Sequence, residues 1–215
     1  MPPAQILQIP NLVSLTRILL TPFVGYFLWR GDSQSTLICA SLLVVAAITD
    51  FLDGYLARRL GQVTRLGIAL DPLCDKIFAG ALVVMLVLFR GFPVWLAAAI
   101  VGRDLVIVGA GLYLMRGRDI DMPSNLTGKY AFAAIAVLLG SYVIRFDFGI
   151  TLMIWITVAL LVASIVSYSR VFVIIKRGLS PRPFSDRPLF RTLRIAVAVM
   201  VAVVYLHRLF LYLAG

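Results

Sequence analysis

Charge is scarce in this sequence. Only 14% of its 215 residues are charged, while 61% are hydrophobic. Soluble globular domains carry ~25% charged and 45–50% apolar residues, so an all-α integral membrane protein is expected. A mean hydropathy of +0.99 agrees. Cysteine is nearly missing: Cys39 and Cys74 both fall in apolar segments, which argues against a disulfide framework and leaves two packed thiols. The single histidine, His207, lies near the outer end of the last apolar run, where an interfacial role is expected. No basic n-region precedes the first apolar run and no A-x-A-like site follows it, so that run is expected to remain as an anchor. Low-complexity tracts and internal repeats are missing too. Acidic residues are outnumbered, ten against twenty basic, for a net charge of +10. In so apolar a chain that excess needs no nucleic-acid partner, and none is expected. Basic loops against anionic headgroups or phosphate-bearing substrates account for it.

What is abundant is span-length apolar sequence. A helix crosses the bilayer in ~20 mostly apolar residues, and seven runs qualify: 11–29, 36–57, 68–89, 93–115, 127–145, 150–174 and 193–213. Residues 1–10 are too short to span and suit an interfacial segment. Basic residues gather after alternate runs: Arg58, Arg59 and Arg65 after the second; Arg116, Arg118 and Lys129 after the fourth; and six from Lys176 to Arg194 after the sixth. The other connections hold only Arg30, Arg90 and Arg145. The bias puts the N-terminus and the even-numbered connections in the cytoplasm of a cell whose inner membrane holds the protein. The expected organisation is an N-terminal segment (1–10), a six-helix membrane domain (11–177), a basic cytoplasmic linker (178–192) and an additional C-terminal span (193–215).

Into this apolar background the chain sets "DFLDGYLAR" and "GIALDPLCD". A charge in hydrocarbon costs several kcal/mol, on the order of 2.5–3.5 by insertion scales. On a helix, Asp50, Asp53, Gly54 and Ala57 stand at i, i+3, i+4 and i+7, and Asp71 and Asp75 stand one turn apart on the next. The chain reverses between them at "RRLGQVTRLG", so the two stripes can face each other near the cytoplasmic surface. Four converging carboxylates repel unless a cation sits among them, and hard divalent ions with oxygen ligands suit them, a pair of Mg²⁺ being the natural choice. Gly54, Ala57 and Gly67 leave space beside the acids, and Arg58 stands one turn on from them, placed to meet an anion held there. Together these residues describe a phosphate or diphosphate site. A lone Asp at a helix end is ordinarily interfacial or capping, but four at these spacings, interleaved with Gly and Arg, ask for another explanation. A cation path would spread its acids through the membrane depth, whereas these cluster at one face.

The pattern D-x2-D-G-x2-A-R-x8-G-x3-D-x3-D, matched at Asp50, Asp53, Gly54, Ala57, Arg58, Gly67, Asp71 and Asp75, resembles the signature of the CDP-alcohol phosphotransferase (CDP-alcohol phosphatidyltransferase) family. The similarity extends through "IPNLVSLTRILLTP" and "LDPLCDK" to "TGKY". It implies a six-helix core, usually homodimeric, with the run at 193–213 as an addition. It further implies a metal-dependent enzyme that transfers a phosphatidyl group from CDP-diacylglycerol to an acceptor hydroxyl and releases CMP. By that resemblance Asp50, Asp53, Asp71 and Asp75 ligate Mg²⁺ or Mn²⁺, two ions in all, and Asp75 doubles as the catalytic base. Asp53, Gly54, Ala57, Arg58, Gly67 and Asn11 bind the CDP moiety.

Arg103, Lys129 and Arg170 fall at expected cytoplasmic ends of runs four to six, with Arg17 inside run one near its inner end. They are candidates for holding a phosphate-bearing acceptor, with inward anchoring as the plain alternative and an Arg103–Asp104 pair as the expected local contact. "TGKY" is similar to an element of the phosphatidylglycerophosphate synthase branch, which implies glycerol 3-phosphate as acceptor. The opening stretch and "GRD" at 102–104 are similar to the branch that makes cardiolipin from phosphatidylglycerol, and inositol phosphate or serine acceptors also stay open. Trp29, Trp95 and Trp155 read as belt or packing residues, and Pro72 is expected to loosen its helix.

Overall fold

A computed structural model of the chain describes residues 9–59, 65–115, 126–177 and 188–214, with side chains for 16–49, 74–110, 113, 126–177 and 190–214. Each apolar run becomes a helix: α1 (Ile9–Arg30), α2 (Ser33–Arg59), α3 (Arg65–Arg90), α4 (Val94–Met115), α5 (Leu126–Val143), α6 (Asp147–Lys176) and α7 (Pro188–Ala214). No strand occurs among the described residues. An all-helical chain is what the bilayer demands, because a helix satisfies its own backbone polar groups. By length and composition, three described segments can cross a membrane: Leu126–Val143, Asp147–Lys176 and Phe190–Ala214. The helices outrun most of the apolar runs by one to a few residues because polar turns at headgroup level stay helical. α7 starts at Pro188, ahead of its apolar run, as a proline suits the first helical position. α3 continues through Pro72 without a break.

The chain divides into two compact units, one of residues 1–97 with 142–145, the other of residues 98–141 with 146–215. In the first, α1 lies against both α2 and α3. Its buried stripe Arg17, Val24 and Leu28 follows the seven- and four-residue steps of a packing face. α3 repeats those steps with Asp75, Leu82 and Leu86, and the two helices run parallel, since Arg17 meets Asp75 and Gly25 lies beside Met85. A Cβ on Gly25 would sit 2.9 Å from Met85 Cε, so glycine permits that approach. Cys39 and Cys74 are buried free thiols, as expected.

At the far end of this unit, tight turns join the helices. Asp32 caps α2: its Oδ1 accepts the Ser35 N–H at 2.6 Å, its Oδ2 the Ser35 hydroxyl, and the Arg30 guanidinium pairs with it at 3.2 Å. Gly31 and Gly91 adopt left-handed backbone (φ +67 each), the conformation that lets the chain leave α1 and α3 sharply.

The second unit holds most of α4 and α5 together with α6 and α7. α6 buries Gly149, Met153, Thr157, Leu161 and Ser164 along one face, a stripe rich in small residues of the kind that packs membrane helices. Gly128 lies by Tyr168, and Ser141 by Gly149, so α5 and α6 form an antiparallel hairpin. α7 returns along α6. Tyr205 OH meets Ser141 Oγ at 2.9 Å, Phe146 stacks against Tyr205 and Tyr212, and Arg208 lies over the Phe148 ring. Trp29, Trp95 and Trp155 are all exposed, which favours the belt over the packing role.

Candidate active site

Asp50, Asp53, Gly54, Ala57 and Arg58 lie on the closing turns of α2, and Gly67, Asp71 and Asp75 on the opening half of α3. Two helices joined by five residues thus supply all eight motif positions from one end of the first unit. The side chains of Asn11, Asp50, Asp53, Ala57, Arg58 and Asp71, together with the surroundings of Gly54 and Gly67, lie outside the described residues. Asp75 is described, and it has a partner that the motif does not contain.

That partner is Arg17 of α1, whose Nη1 forms an ion pair with Asp75 Oδ1. Arg17 is only 3% exposed and the Asp75 side chain 32%. A guanidinium buried this deeply has to be neutralised nearby, and the parallel packing of α1 on α3 brings the carboxylate to it. The Thr21 hydroxyl also donates to the Arg17 carbonyl at 3.0 Å. Arg17 therefore does not snorkel: it turns inward, onto Asp75.

Of the four motif carboxylates Asp75 is the described one: it offers a hard oxygen donor of the kind a divalent ion takes, and its Oδ1 is paired with Arg17. No group of three or more metal-ligating side chains occurs among the described residues, which include only Asp75 of the four acids.

In the second unit, Arg103 of α4 is 10% exposed and uses both terminal nitrogens, while its Nε is buried without a hydrogen-bond partner. Its Nη1 bonds Asp104 Oδ1 at 2.5 Å, the pairing expected from sequence, and its Nη2 bonds Ser164 Oγ of α6 at 2.6 Å. The guanidinium also lies 5.8 Å from the Tyr168 ring centroid, within cation–π range. Gly128 closes the group: a Cβ there would sit 3.0 Å from Tyr168 Oη and 3.4 Å from Arg103 Nη2. Lys129 and Arg170 are both exposed, Lys129 directly after Gly128 and Arg170 two residues past Tyr168. The structure therefore brings Arg103 to the "TGKY" glycine and leaves the two other cations at the surface. Ser164 and Tyr168 escaped the sequence reading. Their signal was the polar run "SIVSYSR" at the end of an otherwise apolar segment. Beside Arg103, a cavity of about 310 Å³ opens between α4 and α6, lined by Val106, Ile107, Ala110, Tyr168 and Phe172.

A family model described as CDP-alcohol phosphatidyltransferase matches residues 7–164, which include all eight motif positions. The chain belongs to the CDP-alcohol phosphatidyltransferase family. Members generally use divalent metals. Among curated relatives, this family member is similar to the probable cardiolipin synthase (CMP-forming) of Drosophila melanogaster, 38% identical over 61% of this chain and 39% of the relative. It is also similar to the CDP-diacylglycerol–glycerol-3-phosphate 3-phosphatidyltransferase of Aquifex aeolicus, 34% identical over 62% of this chain and 74% of the relative. The enzyme of the same description from Pseudomonas fluorescens is 41% identical over 47% of this chain and 53% of the relative. The match thus spans from about two fifths to three quarters of these relatives' lengths.

Proposed function

We propose that this chain transfers the phosphatidyl group of CDP-diacylglycerol to an acceptor hydroxyl and releases CMP, with glycerol 3-phosphate as the acceptor. The observation that carries the reading is the intact motif on α2 and α3, with Asp75 turned to a buried counter-charge on α1. The acceptor oxygen attacks the phosphorus that bears diacylglycerol and forms a new P–O bond. The bond from that phosphorus to the CMP oxygen breaks, and CMP leaves with the electron pair. The acceptor's proton passes to the Asp75 carboxylate, the base in this scheme. Arg17 orients Asp75 and is a positioning residue. Mg²⁺ or Mn²⁺, when bound by Asp50, Asp53, Asp71 and Asp75, neutralises charge on the diphosphate. Asn11, Gly54, Ala57, Arg58 and Gly67 complete the nucleotide site.

Arg103, set against the glycine before Lys129, supports an acceptor that carries phosphate, with Lys129 and Arg170 as further cations. The Aquifex relative, matched over most of its length, supports glycerol 3-phosphate. In this reading residues 11–177 form the catalytic membrane domain, 178–192 a linker and 193–215 an added span. The chain acts as a homodimer in the cytoplasmic membrane, its site facing the cytoplasm, in keeping with the basic bias of alternate loops.

A second reading rests on the apolar cavity beside Arg103, which suits an acyl chain and so a lipid acceptor such as phosphatidylglycerol. The deciding experiment offers labelled CDP-diacylglycerol to purified protein with Mg²⁺ or Mn²⁺ and glycerol 3-phosphate, phosphatidylglycerol, inositol phosphate, inositol or serine in turn. CMP release with glycerol 3-phosphate alone supports the first reading, and release with phosphatidylglycerol alone supports the second. If no CMP is released with any of these acceptors, the enzyme reading fails.

A further inference from the structure

At the end of the first unit away from the motif, two arginines converge without an acid between them. Arg90 closes α3, fifteen residues and so about 22 Å along the helix from Asp75. Its Nη2 donates to Thr36 Oγ1 at 3.1 Å, while its Nε and Nη1 are buried and have no hydrogen-bond partner. Arg145 stands in the turn between α5 and α6. The point where a Gly31 Cβ would lie is 3.5 Å from Arg90 Nη1 and 3.5 Å from Arg145 Nη2. The two nitrogens are therefore about 7 Å apart at most, a span that one phosphate group bridges with an N–H···O bond on either side.

The backbone is shaped for this meeting. Three described residues have left-handed backbone, Gly31, Gly91 and Arg145, and one stands in each of the three turns at this end. For an arginine that conformation costs on the order of 1 kcal/mol, and the turn holds it nonetheless (φ 56). Neither guanidinium forms an ion pair with a carboxylate among the described residues. Asp32, just past Gly31 in sequence, is committed to Arg30 and Ser35, and Asp147, two residues past Arg145, is exposed. Two cations held together with buried donors left over call for an anion. Trp29, Trp95 and Tyr26, all exposed on the adjoining turns, mark this level as that of lipid headgroups.

We propose that Arg90 and Arg145, gathered over Gly31, form a second anion site that takes a phosphate group at the end of the molecule away from the motif. The phosphate belongs either to an anionic phospholipid headgroup or to a free phosphate, and the site stands independently of the transfer reaction.

The test uses the full chain in detergent with zwitterionic lipid. Native mass spectrometry follows retention of added phosphatidylglycerol, and thermal unfolding follows the effect of millimolar inorganic phosphate. Arg145→Asn removes one cation and puts a residue tolerant of left-handed backbone in its place, so the fold is kept even if Arg90→Gln fails to fold. If the site takes a headgroup, each folded variant retains one phosphatidylglycerol fewer, or holds it about tenfold more weakly, while Asp53→Ala keeps that lipid. If it takes free phosphate, lipid retention is unchanged and the phosphate-dependent rise in Tm disappears in the variants. Arg145→Asn matching the wild type in both measurements overturns the proposal.

Discussion

The two ends of the first unit treat an arginine with buried nitrogens in opposite ways. At the motif end Arg17 faces a carboxylate, and the pair closes within the chain. At the other end Arg90 meets a second arginine, and no carboxylate among the described residues pairs with it. α3 carries one member of each arrangement, Asp75 at one end and Arg90 at the other. Burial alone therefore does not tell what a membrane arginine does. What matters is whether the neighbouring helix offers an acid at that level.

The largest effect that sharpens this contrast is on turnover. Asp75→Asn is expected to lower CMP release on the order of a thousandfold, as loss of a general base does, while nucleotide binding persists. Near-normal release would remove Asp75 as the base. Next comes stability. Arg17→Ala leaves the Asp75 carboxylate without its counter-charge and is expected to cost about 3 kcal/mol in chemical denaturation. Adding Asp75→Asn should restore part of that loss, and strict additivity of the two changes would deny the pair. Thr36→Val takes the one hydrogen bond that Arg90 makes and should cost about 1 kcal/mol, read the same way.

The smallest effect concerns Asp32. The Ser35 backbone N–H, then the Ser35 hydroxyl and Arg30, hold its carboxyl below the ordinary value of 3.8. A lowered folded value means a contribution that is complete above pH 3.8 and fades as pH falls through the folded value. Wild-type unfolding midpoints should show this acid-side component, and Asp32→Asn should lack it while keeping the cap.

The helices were legible because the bilayer imposes length and apolarity together, and each run from 11–29 to 193–213 became one. The motif was legible because its five charged positions cannot hide in apolar sequence and its small residues stand at fixed spacings from them. Partners across helices were not. Arg17 carried no hint of Asp75, fifty-eight residues away, because the register of α1 on α3 follows from packing at Gly25, Val24 and Leu28. Arg103 could be matched to its neighbour Asp104 but not to Ser164, for the same reason. The meeting of Arg90 with Arg145 depends on backbone turns that no spacing rule reports, least of all at an arginine with positive φ.

The grip of α7 on the α5–α6 turn has a consequence for how the molecule is made. α7 leaves the ribosome after α1 to α6, so until it arrives Phe146 lacks both of its tyrosine neighbours and Ser141 lacks the Tyr205 hydroxyl. Those partners sit toward the C-terminal end of α7, and they meet the start of α6 only when α7 enters antiparallel to it. An α7 threaded in the wrong sense would find no place at that turn, so completing the turn also checks the orientation in which this helix was inserted.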